Sequence, residues 1–238
     1  PIAGDTAQSH VKFGGVSLLG HPLAENLTAN LEWTQPVLSL KPLELELHGY
    51  QSVIMGQLAR FSGLPIQIDF QMPRQPLKPV SLSYDGLASA EAMALNARFR
   101  GLMLAPSSWQ GDLLAEAVSP TLGIASHEAK FDKGSAITVL RGGVISCVDA
   151  RLIGDGLSLL GNATLLADGR AAGVARVVSE PDTVSAIARR VFPMLQDPLS
   201  LTPLSTPQRA AFDVVAFGNI HHLFLRLGTD GPIVNLNP

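Results

Sequence analysis

The amino-acid sequence predicts a mainly β protein, an antiparallel curved sheet or sandwich of short alternating strands with two short α-helices in its C-terminal third. Three observations predict this class. Apolar and polar residues alternate along many segments, as in a strand that has one buried face and one wet face. Gly-Gly and Asp-Gly steps, which are typical of hairpin turns, separate the later segments. Helical spacing of apolar residues is confined to two stretches near the C-terminus.

Alternating segments in the N-terminal third each predict a strand. They cover residues 27–33, 43–47, 66–70 and 80–84. Polar residues such as Thr28, Glu44 and Gln67 occupy the intervening positions. A parallel sheet flanked by helices would instead show continuous apolar runs, so an antiparallel sheet is predicted.

The segment 89–101 fits a strand or a helix. Its alanines and its methionine favour a helix. Its apolar residues nevertheless alternate with polar ones, and Arg98 and Arg100 fall together on the polar side. We therefore predict a strand. A meander of four further strands is predicted over residues 137–140, 144–153, 157–167 and 172–178, with turns at Gly142-Gly143 and Asp168-Gly169.

Two helices are predicted after this meander. The first begins at the sequence Ser179-Glu180-Pro181-Asp182, which resembles a capping box. Its apolar stripe, which should dock on the sheet, consists of Val184, Ile187, Ala188, Val191 and Phe192. The second begins at Thr206-Pro207 and ends at Gly218-Asn219, and its stripe consists of Ala211, Phe212 and Val215. Strands over residues 220–227 and 233–236 close the chain.

Composition limits the class of protein. Hydrophobic residues make up 46% of the 238 residues and charged residues only 16%, which is enough apolar material for a core. We predict a single β-rich domain over residues 1–238, with sub-units 1–86 and 87–238 as the alternative division. The net charge of −3, the absence of a basic run and the 5% of aromatic residues argue against nucleic-acid binding. Cys147 is the single cysteine and has the apolar neighbours of a buried residue.

Residue patterns typical of catalysis are missing from the sequence. It contains neither the Gly-x-Ser-x-Gly motif of a hydrolase nucleophile nor the paired histidines of a zinc protease. His221 and His222 are adjacent, so on a strand their rings point to opposite faces and cannot readily share a metal ion. We predict no catalytic residues, no metal site and no cofactor, and a protein that is not an enzyme.

Several segments that contain glycine or proline resemble those of a known family. They are Gly20-His21-Pro22 with Leu31-Glu32-Trp33 and residues 38–42, residues 62–69, residues 161–173, and residues 225–238. In these the chain resembles a bacterial envelope family called domain of unknown function 2125, although Leu64, Ile66 and Gln67 stand where that family has aromatic residues and an arginine. The strand ending at Trp33 and the glycine-rich region around Cys147 are similar to type II secretion system protein N. The resemblance implies a periplasmic protein tethered to the inner membrane by an N-terminal anchor that this sequence lacks. It implies no catalytic activity.

These observations favour a binding protein. We expect a non-enzymatic periplasmic envelope protein that binds an apolar or amphipathic ligand, such as a lipid, along a curved sheet, in lipid handling or transport. The alternative is an envelope scaffold or assembly protein that binds another protein through a strand edge or the helical pair. The alternation does not distinguish an open groove from a closed sandwich. The candidate ligand-binding residues on the apolar face are Leu31, Trp33, Leu45, Ile68, Phe70, Leu82, Met93, Leu95 and Phe99.

Overall fold

The computed structural model describes residues 6–13, 16–18, 21–24, 27–47, 49–82, 86–124, 127–195, 201–204, 208–219 and 222–235. Most of these residues lie in β-strands, as the alternation predicts. The first ten strands are β1 (Thr6–Phe13), β2 (Val16–Leu18), β3 (His21–Ala24), β4 (Leu27–Thr34), β5 (Val37–Leu47), β6 (Tyr50–Ala59), β7 (Pro65–Leu82), β8 (Gly86–Leu102), β9 (Ala105–Ile124) and β10 (His127–Lys130).

The elements that follow include the one helix of the described residues. They are β11 (Lys133–Arg141), β12 (Val144–Ile153), β13 (Leu157–Leu165), β14 (Arg170–Ser179), α1 (Pro181–Val191), β15 (Thr202–Pro203), β16 (Ala210–Asn219), β17 (His222–Leu227) and β18 (Ile233–Asn235). Within the ranges given above, no helix is long and apolar enough to cross a membrane.

One antiparallel sheet contains sixteen of the described strands. Its order is β1-β4-β5-β6-β7-β8-β9-β11-β12-β13-β14-β16-β17-β18, with β10 beside β9 and β15 beside β16. The sheet is not closed, and β2 and β3 form a separate two-stranded sheet. Strands that are close in sequence are neighbours because a short connection returns the chain antiparallel to itself. Of the two predicted arrangements, the described strands form the single sheet and not two sheets of comparable size.

The predicted strands are confirmed in type, but several are longer than predicted. The segment 89–101 is a strand and belongs to β8. The predicted strand over residues 80–84 is not separate, because β7 continues through 18 residues as far as Leu82. Pro73, Pro76 and Pro79 lie inside β7, where the fixed φ of proline is compatible with extended backbone. Residues 83–85 lie outside the described residues.

Helix α1 is confirmed, but its predicted capping box is not formed. Glu180 is the N-cap residue and makes no side-chain capping bond, while Pro181 and Asp182 occupy the first turn. Ser179 is the last residue of β14, and its hydroxyl donates a hydrogen bond to the backbone carbonyl of Gly156. The serine therefore joins β14 to the turn between β12 and β13 and is not available to the helix.

The second predicted helix is wrong: residues 210–219 form β16. Ala211, Phe212 and Val215 fit helical spacing, but the structure places them in a strand. Strand β16 pairs along its whole length with β14, from Ser179 opposite Ala210 to Arg170 opposite Asn219. These interstrand hydrogen bonds decide the conformation, because strand preference depends on partners that are distant in sequence. Thr206-Pro207, Ile220, His221 and Leu236 lie outside the described residues.

The chain divides into two compact units. Unit 1 consists of Pro1–Gln75, Met93–Leu114 and Leu140–Gly143, and unit 2 consists of Pro76–Ala92, Ala115–Val139 and Val144–Pro238. The single domain and its alternative division at residue 86 stay predictions.

The core of unit 2 lies between α1 and the sheet. Val184, Ala188 and Phe192 are completely buried, and they pack with Val177 of β14 and Phe212 of β16. Ile187 and Val191 pack against the same cluster. The predicted apolar stripe of the helix and its docking on the sheet are thus confirmed.

Candidate ligand-binding site

The sheet of unit 1 has one strongly apolar face. Residues that lie opposite each other in an antiparallel pair point to the same face. Leu31 lies opposite Leu40, Leu40 lies opposite Gly56, and Gly56 lies opposite Ile68, across strands β4 to β7. We call this surface the apolar face. By the same register it contains Leu31, Trp33, Leu38, Leu40, Leu45, Ile54, Gly56, Leu58, Ile66, Ile68 and Phe70.

The other face of the same strands carries mainly polar side chains. Ser39 lies opposite Gln57, and Gln57 lies opposite Gln67. Glu32 of β4 lies opposite Ser39 and forms an ion pair with Lys41. We call this surface the polar face. The two faces follow directly from the period of a strand, which is the pattern that the sequence shows.

A groove of about 220 Å3 lies on the apolar face over Gly56. Most of its lining consists of aliphatic side chains, and Met55, Gln57 and Gln67 also line it; the aliphatic residues are Leu31, Leu38, Leu40, Ile54, Leu58, Ile66 and Ile68. The groove exists because Gly56 has no side chain to fill it. A Cβ atom at this position would lie 3.3 Å from the carbonyl oxygen of Gln67 and 3.9 Å from the Cβ atom of Leu40. The floor of the groove is therefore the backbone of β6.

Some of the predicted ligand-binding residues line the groove, and others lie on the same face outside it. Leu31 and Ile68 line the groove. Trp33, Leu45 and Phe70 share its face but do not line it. Their contact with a ligand stays a prediction.

The predicted residues of β8 lie on the same face by alternation. Arg98 forms an ion pair with Asp69, which lies on the polar face opposite Met55. The odd-numbered residues of this part of β8, which are Met93, Leu95 and Phe99, therefore point to the apolar face. The side chain of Leu82 lies outside the described residues.

Gly56 and the whole of β6 are absent from the elements and sites predicted from the sequence. The segment has its own alternation, in which Ile54, Gly56 and Leu58 point to one face. A glycine inside an alternating strand marks either a bulge or a place where another group approaches the backbone closely. The sequence shows this glycine, but it does not show which strands lie on either side of Gly56 and supply the side chains of the groove walls.

A larger concavity of about 470 Å3 lies against the polar face of unit 1. Val37, Ala59 and Pro65 form its apolar side, and Gln57, Gln67, Arg100, Ser108 and Gln110 form its polar side. Arg100 donates a hydrogen bond of 3.4 Å to Gln110, which is long for such a contact. Among the described residues Arg100 has no carboxylate partner.

Asp69 stands close to this concavity and carries a stable negative charge. Burial raises the pKa of its carboxyl group, but hydrogen bonds from Arg98 and Gln67 together outweigh that effect and hold the pKa below its usual value. Arg98 thus neutralises Asp69, and the charge of Arg100 remains uncompensated.

None of the residues that line the groove over Gly56 titrates near neutral pH. Across the described ranges, no group of three His, Cys, Asp or Glu residues is placed to hold a metal ion. Cys147 is half-buried, and its thiol points to the backbone carbonyl oxygen of Asp149 at 3.8 Å. His222 is exposed, and His221 lies outside the described residues.

Fold and groove together define a mainly β protein built on one large open antiparallel sheet, with an apolar concavity on one face of unit 1. Comparison of the chain with protein-family models, with curated proteins and with solved structures finds no match. The resemblance to the envelope family stays an expectation.

Proposed function

We propose that the protein is a non-enzymatic binding protein that holds an apolar or amphipathic ligand, such as a lipid, on the apolar face of unit 1. The observation that carries this proposal is the groove over Gly56, which is lined mainly by leucine and isoleucine side chains, with Met55, Gln57 and Gln67 as its other lining residues. Such a lining favours an apolar chain over a polar ligand.

The free energy gained by burying methylene groups sets a lower limit on the length of the ligand. Burial of one methylene group contributes about 0.8 kcal/mol, whereas association costs at least about 4 kcal/mol. About five methylenes therefore only offset the cost of association. A micromolar complex needs about 8 kcal/mol more, which corresponds to a chain of about fifteen methylenes. A long acyl chain that runs past the groove along Trp33 or Phe70 satisfies this requirement.

The setting of this activity is also part of the proposal. A charged fraction of only 16% and the likeness of the segments that contain glycine or proline to an envelope family support a periplasmic protein, tethered to the inner membrane, that acts in lipid handling or transport. Native mass spectrometry of protein purified from membranes should show a bound lipid. A ligand-free mass from such a preparation would contradict the proposal.

Filling the groove provides a direct test. Gly56→Leu places an aliphatic side chain where the ligand would lie, and we expect it to weaken binding of a fluorescent long-chain fatty acid at least tenfold. Ser39→Leu is the matched control, because it adds the same side chain to the polar face of the neighbouring strand. Circular dichroism checks that both variants remain folded. Equal affinity of the two variants would show that the groove is not the binding site.

A second candidate function is a scaffold or assembly protein. Among the described strands β1 pairs with β4 on one side and has no neighbour on its other side. Such an edge can accept a strand from another envelope protein. Crosslinking from Gln8 in cells distinguishes the two functions, since capture of a protein by lipid-free chain favours the scaffold.

A further inference from the structure

Two turns of unit 1 present large apolar side chains to solvent. Phe61 lies in the turn between β6 and β7, and Met103 and Leu104 form the turn between β8 and β9. Their exposed fractions are 59%, 53% and 75%. The backbone N–H of Met103 donates a hydrogen bond to the carbonyl of Leu64 at 3.0 Å, so the two turns are adjacent. We call Phe61, Met103 and Leu104 the apolar tip.

Several hydrogen bonds hold the apolar tip in place. The N–H of Leu102 donates to the Ser108 hydroxyl at 2.8 Å, and the Trp109 indole donates to the carbonyl of Leu102 at 3.1 Å. On the other turn the N–H of Arg60 donates to the carbonyl of Pro36 at 2.8 Å. These bonds anchor the backbone of both turns. Scattered exposed apolar residues are common, but a cluster of them marks an interaction surface.

Two exposed arginines lie close in sequence to the apolar tip. Arg60 precedes Phe61 and is exposed, and Arg100 lies two residues before Leu102 in β8. Neither arginine has a carboxylate partner in the part of the chain that the structure describes. Three other cations of unit 1 do form ion pairs. The pairs are Lys41 with Glu32, Arg98 with Asp69 and Arg141 with Asp112.

We propose that the apolar tip docks on an anionic lipid membrane, with Phe61, Met103 and Leu104 entering the boundary between head groups and acyl chains. Arg60 and Arg100 then contact the lipid phosphates. Three side chains at the ends of two turns form too small a patch for a stable protein interface, which buries about 800 Å2 on each partner. Shallow insertion of a few apolar side chains, together with attraction of cations to anionic lipids, is sufficient for membrane docking.

This docking is independent of the groove over Gly56, although it would bring unit 1 to a source of lipid. Flotation of the full chain with vesicles tests it. We expect binding to vesicles of phosphatidylcholine mixed with phosphatidylglycerol, weaker binding to phosphatidylcholine alone, and release by salt. Failure of the full chain to float with the anionic vesicles would overturn the proposal.

Substitution of the tip localises the contact. We expect the double variant Phe61→Ser, Leu104→Ser to lose at least tenfold in vesicle affinity, whereas Met194→Ser, at a side chain in unit 2 that is 80% exposed, should bind as the wild type does. Arg60→Gln should weaken binding to anionic vesicles only, and Arg74→Gln, an exposed arginine of β7, is its control. Equal loss in the tip variant and in Met194→Ser would overturn the proposal.

The same variants separate docking from ligand binding. The tip variant should still bind a fluorescent fatty acid in the absence of vesicles, and Gly56→Leu should still float with them. If the tip variant binds vesicles as well as the wild type does, the membrane proposal is wrong. Weaker crosslinking of the tip variant to another protein in cells would then indicate a protein interface.

Discussion

The clearest cross-strand charge interaction in the described residues joins Arg176 of β14 to Asp213 of β16. The two residues lie directly opposite each other in the register. The guanidinium donates two hydrogen bonds to the carboxylate, at 2.7 and 2.8 Å. Those bonds from Arg176 hold the pKa of Asp213 below its usual value, although partial burial opposes the effect. Asp213 therefore stays ionised in the folded protein at a lower pH than in the unfolded chain.

Replacement of Asp213 by asparagine should lower the free energy of unfolding slightly at neutral pH. Both side chains are more than a third exposed, at 47% and 35%, so water screens the pair. We expect a loss of under about 1 kcal/mol. Because the folded-state pKa is lowered, this stabilisation is complete above the unfolded-state value of 3.8 and disappears as the pH falls through the folded-state value.

Urea titrations of the wild type and Asp213→Asn at several pH values check this expectation. Asp132→Asn is the control, since this exposed carboxylate has no ion pair among the described residues. A difference between wild type and Asp213→Asn that persists unchanged in strong acid would contradict the assigned role of the pair.

Among the elements, α1 and β16 show what local sequence can and cannot predict. The beginning of α1 at Pro181 and its stripe at Val184, Ala188 and Phe192 are signals within a few residues of one another. They require no knowledge of the rest of the chain. The conformation of β16 depends instead on β14 and β17, which flank it in the sheet. The helical spacing of Ala211 and Val215 therefore predicts the wrong element.

Truncation of Phe192 should strongly destabilise unit 2. Its side chain is completely buried between the helix and the sheet, so Phe192→Ala loses transfer free energy and leaves a cavity. We expect the free energy of unfolding to fall by about 3–5 kcal/mol in urea denaturation. Met194→Ala, two residues away and 80% exposed, should change it by less than about 0.5 kcal/mol. Similar values for both variants would show that α1 is not docked as described.

On the scale of the whole molecule, the open sheet and the two compact units predict a local response to ligand. A ligand that binds only the folded protein stabilises it, by about 2.7 kcal/mol at a hundred times the dissociation constant. In the presence of a long-chain fatty acid, amide hydrogen exchange should therefore slow most in β5, β6 and β7, which form the groove together with Leu31 of β4.

Mass spectrometry of exchanged peptides measures this response. Strands β13, β14 and β16, which form the core of unit 2 with α1, serve as the internal reference. Gly56→Leu should lose the protection in unit 1 without affecting that reference. Slower exchange confined to β13, β14 and β16 would place the ligand elsewhere.

Much of the fold could be predicted from sequence because strand alternation and helix periodicity are local properties. Leu31 and Ile68 were assigned to an apolar face, and the structure places both on the walls of the groove. The boundaries were less predictable. Strand β7 continues past three prolines because its neighbours in the sheet support it, and the sequence around those prolines suggests an interruption.

The sequence by itself determined which segments have one apolar and one polar side, and that a helix follows β14. Tertiary structure alone decided that residues 210–219 are a strand and that Gly56 lies between Leu40 and Ile68. The physical reason is register. A shift of one residue between paired strands turns every side chain to the other face, and that choice depends on hydrogen bonds between residues far apart in the chain.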